Sequence, residues 1–220
     1  MMMTHERTEL AEQGLDLLAH AFELCQDKQA KGYGDGLAQS VVQVIFRDLP
    51  AACGDATDSA AAESLKRAQI LIGSFIRQPA QDICHSLSAT ISAEFSLSHG
   101  KVNAIILPAM LNHLVKTCSA SDRRDDSNIA CIHCYAKLAR VIGLTVTDDL
   151  DAIAKLALAV RKLRAQVGLP RSIAEFLVDE SVYRQAVPVM AKRAWLGIGT
   201  RPGRPRPSVR DIEQILLDAF

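Results

Sequence analysis

Apolar residues recur at three- and four-residue intervals along almost the whole chain, and no stretch alternates convincingly with period two. That is helical patterning. In "TELAEQGLDLLAHAFELC", Leu10, Leu17, Leu18, Ala21 and Phe22 form one broad apolar stripe. "LAQSVVQVIF" has valines that a strand would accept, but Leu37, Val41, Val44 and Ile45 fit a buried helix better. "GYGDG" (Gly32 to Gly36) reads as a break, and "DLPAACGDATDS" as a loop whose Asp58 caps an alanine-rich helix running to about Arg77. Pro79 opens the next helix, which carries His85. "SLSHG" interrupts the pattern before an apolar helix from about Lys101 to Lys116.

"SASDRRDDSN" is a polar loop, followed by helices through "IACIHCYAKLARVIG" and "DDLDAIAKLALAVRKLRAQVG". Gly168 and then Pro170 close the second of these. Ser172 is placed to cap "IAEFL", and a further helix starts near Asp179 and must accommodate Pro188. "GIGTRPGRPRP" reads as an extended strap, and Ser208 with Asp211 three residues on opens the last helix. There is no internal repeat. The pattern predicts an all-α multi-helix bundle of roughly eight to ten helices, a single helical domain over residues 1–220.

Composition narrows the function classes. Hydrophobic residues make up 49% of 220, enough for a core without disulfides. Lys+Arg and Asp+Glu are both 25, so there is no net charge to bind nucleic acid or an anionic membrane broadly. "MMMTHERTEL" lacks the apolar run of a signal peptide, and stretches such as "AIILPAML" are too short to span a bilayer. The expectation is a soluble, cytoplasmic protein whose six cysteines are reduced thiols.

The candidate chemistry lies in four residues. Asp16 and His20 are four apart on the first helix, one turn apart on one face, a common half-site for a divalent metal. His85 lies on a second helix and His99 at the start of a third, fourteen positions on. A continuous helix would hold them ~21 Å apart, so they meet only if the chain reverses at "SLSHG". One carboxylate with three imidazoles suits Fe(II) or Zn(II) and leaves positions for water or a substrate oxygen. Spacing alone leaves the plain alternative open, a surface Asp–His pair and satisfied core histidines. Glu23, one turn beyond His20, is placed either to hold that imidazole or to face solvent.

"GLDLLAHAFE" resembles the Asp-x-x-x-His segment of the iron-containing, group III alcohol dehydrogenases. "HSLSATISAEFSLSHGKVNAIILP" resembles their second signature, a His, a His-Gly fourteen residues on, then Asn-Ala and Leu-Pro. "LAVRKLRAQVGLPRSIAEF" and "RPRPSVRDIEQILLDAF" resemble the family's closing segments, so the likeness covers nearly the whole chain in order. It implies the dehydroquinate synthase-like helical domain of that family, with Asp16, His20, His85 and His99 each on a metal-ligand position.

The departures carry as much. Family members resemble a Rossmann-like nucleotide domain followed by this helical one, and this chain starts at about the junction. It has no strand–Gly-rich turn–helix unit to cradle a pyrophosphate, and "GYGDG" follows a helix. Four residues after His85, where the family usually has another His near the nicotinamide, stands Ala89; its frequent Leu-Pro-His is here "LPAM", with Ala109. "CIHC" (Cys131 to Cys134) has zinc-knuckle spacing but no second such pair, which favours small side chains packed in a core.

The expectation is therefore a divalent-metal-binding helical domain. Its metal, Fe(II) or Zn(II), would serve alcohol or aldehyde oxidoreduction with NAD(P) held by another chain, not by this chain alone. The rival is a non-catalytic metal-binding or interaction protein descended from that domain. Without its nucleotide domain, the face beside the histidines, with Leu87, Ile91, Phe95 and Leu97, is expected to pair in a homodimer or with a separate nucleotide-binding subunit.

Overall fold

The computed structural model describes residues 5–27, 32–54, 58–74, 82–119, 126–198 and 206–220. Among them are nine α-helices and one short 3-10 helix. The helices are α1 (His5–Cys25), α2 (Tyr33–Gly54), α3 (Ser59–Gly73), α4 (Ile83–Phe95) and α5 (His99–Ser119). After them come α6 (Asp126–Val141), α7 (Asp149–Gln166), the 3-10 turn Ile173–Phe176, α8 (Glu180–Gly197) and α9 (Val209–Asp218). The all-α expectation holds, and no helix among the described residues is long and apolar enough to cross a membrane.

The axis of the bundle is α5. Every residue from Val102 to Leu111 is buried, so this helix is enclosed on all sides. It packs against α1, α4, α7 and α9. On one flank α2 lies along α1 and carries α3; on another α6 pairs with α7; α8 closes over α4, and α9 packs on α8 and α5. Tyr183 of α8 shows how tightly that last layer is tied. It is fully buried between Phe95 and Phe220, and its hydroxyl donates to the Leu216 carbonyl at 2.9 Å.

The helix starts follow local chemistry. Asp58, Asp82, Asp148 and Asp179 each accept a backbone N–H at the head of a helix. Ser208 and Asp211 form a reciprocal capping box. Gly168, at φ 70°, ends α7 with a Schellman-type turn in which the Leu169 N–H reaches the Arg164 carbonyl. Ser172 occupies the cap position of the 3-10 turn without a side-chain hydrogen bond.

Three expectations are corrected. "DLPAACG" is the last part of α2, not a loop, with Pro50 inside the helix and Leu49, Ala52 and Cys53 buried. "GYGDG" is the first turn of that helix from Tyr33 on, with the break before it. Leu87 and Ile91 are completely buried, and Phe95 and Leu97 are packed against the core, so they form no bare apolar patch. Arg77, Pro79 and most of the "SASDRRDDSN" and "GIGTRPGRPRP" segments lie outside the described residues. At the C-terminal end of that last segment the Arg206 guanidinium lies 3.7 Å over the Trp195 ring.

Candidate metal centre

Three helices deliver the four predicted residues. Asp16 and His20 stand one turn apart on α1, with His20 Nε2 3.6 Å from Asp16 Oδ2. His85 sits in the first turn of α4, its Nε2 3.6 Å from Asp16 Oδ1. The reversal between α4 and α5 is made by Ser96 in the left-handed conformation (φ 53°, ψ 39°), with Leu97 and Ser98 before the next helix starts. It brings His99 back alongside, Nε2 3.8 Å from Asp16 Oδ1 and its ring stacked on His85 at 5.5 Å between centroids. Candidate ligand atoms of Asp16, His20 and His85 all lie within 4.8 Å of one another. His99 flanks that trio.

A close approach of two backbones makes this possible. A Cβ at Gly100 would lie 2.8 Å from both the carbonyl oxygen and the Cβ of Glu12 on α1. The start of α5 therefore rests on α1 only because residue 100 has no side chain. The Glu12 carboxylate secures the same junction, accepting from the Ser98 hydroxyl and pairing with Lys101 at 3.3 Å.

Exposure is graded across the site. The His85 side chain is 8% exposed and that of His99 is 40%. His85 thus closes the floor and His99 stands at the solvent side. The Nε2 of His85 is buried and makes no hydrogen bond among the described residues. A buried ring nitrogen aimed at a carboxylate from beyond hydrogen-bond reach is what a cation between them would satisfy. One carboxylate and three imidazole nitrogens are also a donor set that Fe(II) or Zn(II) accepts.

The electrostatics agree. Burial pushes the Asp16 carboxyl up, but the imidazoles of His85, His20 and His99 more than reverse this and hold it below the usual carboxylate range. Burial likewise opposes ionisation of Glu23, and the rings of His20 and His85 overcome it to bring the carboxyl down to about 2. Burial pulls His85 down, and Asp16 and Glu23 outweigh it, raising the imidazole to about 9. His99 is lowered, chiefly by burial, with Asp16 opposing. Two ionised carboxylates thus face the rings, and a cation entering between them competes with the His85 proton.

Two contacts escaped the sequence reading. Asn103, fully buried on α5, donates from Nδ2 to Asp16 Oδ1 at 2.6 Å. Glu23 reaches His85 more closely than the His20 it was expected to hold. The i, i+7 spacing from Asp16 to Glu23 was the available signal for the second. Nothing local signals the first. Ala89 is half-buried one turn beyond His85, and Ala109 is buried on α5 after Pro108. The Cys-x-x-Cys of α6 joins no metal cluster among the described residues.

Residues 10–220 match the family model described as the Fe-containing alcohol dehydrogenase family, C-terminal. An aldehyde-alcohol dehydrogenase of Streptococcus pneumoniae is 27% identical over 96% of this chain and 24% of its own length. A 1-propanol dehydrogenase of Citrobacter freundii is 28% identical over 94% of this chain and 54% of its own. Among solved structures, the iron-containing alcohol dehydrogenase of Thermococcus thioreducens superposes with a TM-score of 0.77 at 25% identity, over 98% of this chain and 51% of that one. A 1,3-propanediol oxidoreductase gives 0.79 at 24% identity. The chain thus spans about a quarter to a half of the length of these relatives. It belongs to the iron-containing alcohol dehydrogenase family and corresponds to that family's C-terminal helical domain.

Proposed function

We propose that this domain holds one divalent ion, Fe(II) or Zn(II), on Asp16, His20, His85 and His99, and serves alcohol or aldehyde oxidoreduction with a nucleotide-binding domain supplied separately. The observation that supports it most is the convergence of three Nε2 atoms on one carboxylate, with His85 Nε2 buried and unsatisfied. A divalent ion there supplies Lewis acidity towards an alcohol or carbonyl oxygen. The chain's own residues do the positioning. Asp16 neutralises charge at the centre, His85 shields its inner side from water, and the exposed edge of His99 leaves the approach open to a small substrate.

Relatives named as alcohol and aldehyde-alcohol dehydrogenases favour this reading. A second reading, a metal-binding or interaction domain without turnover, is favoured by Ala89 and Ala109. There the resemblance leads one to expect histidines near the reacting atoms, and alanine can neither donate nor accept a proton.

Metal analysis of the purified chain, with zinc titration of the wild type and of His99→Ala, tests the centre. One ion per chain, and at least a tenfold loss of affinity in the variant, are expected. No bound metal, or an unchanged isotherm, would overturn it. Calorimetry with NAD(H) should give no micromolar binding by the chain alone. Alcohol-dependent turnover on adding a co-purifying nucleotide-binding chain decides between the two readings.

A further inference from the structure

An imidazole can turn only one of its nitrogens to a metal, and the partner of the other nitrogen decides which. Here one side chain partners two rings. Glu23 Oε1 lies 2.5 Å from His85 Nδ1, and Oε2 lies 3.7 Å from His20 Nδ1. The Nε2 atoms of the same rings face Asp16 at 3.6 Å each. The two rings stack at 4.2 Å between centroids and 21° between planes, so each spans from one carboxylate to the other. Asp16, His20 and Glu23 follow at i, i+4 and i+7 on α1, one stripe facing a ring delivered by α4.

Glu23 also holds the backbone that carries His85. Its Oε1 accepts the N–H of Asp82 at 3.2 Å. Asp82 is the N-cap of α4, accepting from Ile83 N–H at 2.7 Å, and His85 is the third residue of that helix. A carboxylate at a helix N-terminus is favoured by the exposed N–H groups and the helix dipole. The cap is braced in turn by Gln26, whose Nε2 donates to Asp82 Oδ2 at 3.4 Å and to the Tyr135 hydroxyl on α6. A carboxylate that served α1 alone would need none of these partners.

We propose that Glu23 is the positioning carboxylate of the centre, fixing the ring of His85 with Nε2 towards Asp16, setting its charge beside His20, and anchoring the first turn of α4 through the Asp82 N–H. The inference rests on the metal-binding reading above and adds a residue that touches no metal. A carboxylate can only accept, so the His85 Nδ1 hydrogen-bonded to it carries the proton and the His85 Nε2 keeps its lone pair for a cation. Removing the charge leaves the His85 ring free to rotate or to change tautomer and takes the facing charge away from His20.

The test compares the full chain with Glu23→Gln, Glu23→Asp and Asp16→Asn. Zinc affinity is read by competition with a chromophoric chelator, Co(II) absorption spectra report the ligand geometry, and circular dichroism of metal-free protein reports the fold. Glu23→Gln keeps the side-chain length and an acceptor for Asp82. It is expected to keep its helicity, weaken zinc about 10–100-fold and alter the Co(II) spectrum. Glu23→Asp keeps the charge but withdraws it by one methylene, and should fall between wild type and Glu23→Gln. Should Glu23→Gln not fold, the affinity and spectrum of Glu23→Asp decide, and wild-type values for both overturn the proposal. Wild-type zinc affinity and spectrum in a folded Glu23→Gln, with binding lost in Asp16→Asn, would overturn the role of Glu23 alone. A wild-type chain that binds no zinc would overturn the metal reading itself.

Discussion

Gly100→Ala tests the geometry of the proposed centre from a residue that supplies no candidate ligand atom. The added Cβ would lie 2.8 Å from the Glu12 carbonyl oxygen and Cβ and 3.0 Å from its carbonyl carbon. Two of those atoms are backbone, so no rotamer change relieves the contact. Bringing a 2.8 Å carbon–carbon contact out to the ~3.5 Å of ordinary packing makes the start of α5 retreat from α1 by about 0.7 Å. His99 is the preceding residue and moves with it, whereas metal–ligand distances tolerate only ~0.2 Å. Overpacking of this kind costs ~1–3 kcal/mol. The gain from replacing glycine in a helix is at most ~1 kcal/mol, and only part of it applies at the second residue of α5. The clash wins. With about 0.5–2.5 kcal/mol left after that offset, the variant should melt roughly 1–10 °C lower, at ~2–4 °C per kcal/mol for a chain of this size. Its zinc affinity should fall on the order of tenfold, the scale seen when a ligand loses its support. Gly73→Ala is the control, because a Cβ there meets nothing within 4 Å. Differential scanning calorimetry and chelator competition read both quantities. A Gly100→Ala variant that melts and binds zinc like Gly73→Ala would refute the close-approach argument.

Asn103→Ala removes the donor to Asp16 Oδ1 from a fully buried position; it should destabilise by ~1–3 kcal/mol and weaken zinc about tenfold, with wild-type titration and denaturation curves counting against it. Cys134 should be the first thiol alkylated. A hydrogen bond from Cys25 lowers it to about 7 against the opposing effect of burial, whereas burial pushes Cys25, Cys84 and Cys131 well up and Cys53 to about 11. Its labelling rate should climb through pH 7 and level off above pH ~8 as the thiolate fills, and earlier labelling of another cysteine by mass spectrometry would contradict this. The homodimer or separate-subunit proposal has lost its apolar patch, since Leu87 and Ile91 are buried. Association has instead to use residues such as Val182, Val189 and Leu196, exposed at seven-residue spacing on α8, and light scattering that shows a dimer surviving Val189→Lys would point to another surface.

Elements whose starts are written in neighbouring residues were legible. Asp58, Asp179 and the Ser208–Asp211 box each act within three positions, and the turn at "SLSHG" was required by the His85–His99 spacing. What failed was local propensity set against distant packing. Pro50 argued for a loop, yet Leu49 seats its side chain on Gly14, where a Cβ would meet it at 2.5 Å, and Ala52 and Cys53 are buried too. That burial outweighs the ~3 kcal/mol a proline costs inside a helix. The face at Leu87 and Ile91 was misjudged for the related reason that period alone does not say which neighbour covers a stripe; α5 and α8 pack against α4. The four candidate residues divide the same way. Asp16 and His20 were readable as a pair on one helix, and His85 and His99 by resemblance. Their orientation was not, because it is set between helices: Glu23 of α1 on His85 of α4, Asn103 of α5 on Asp16 of α1, and Glu12 against Gly100. The identity of the candidate donors was thus readable along the chain, and their aim is a tertiary property. Substitutions at Glu23, Asn103 and Gly100 should therefore change metal affinity while leaving every donor atom in place.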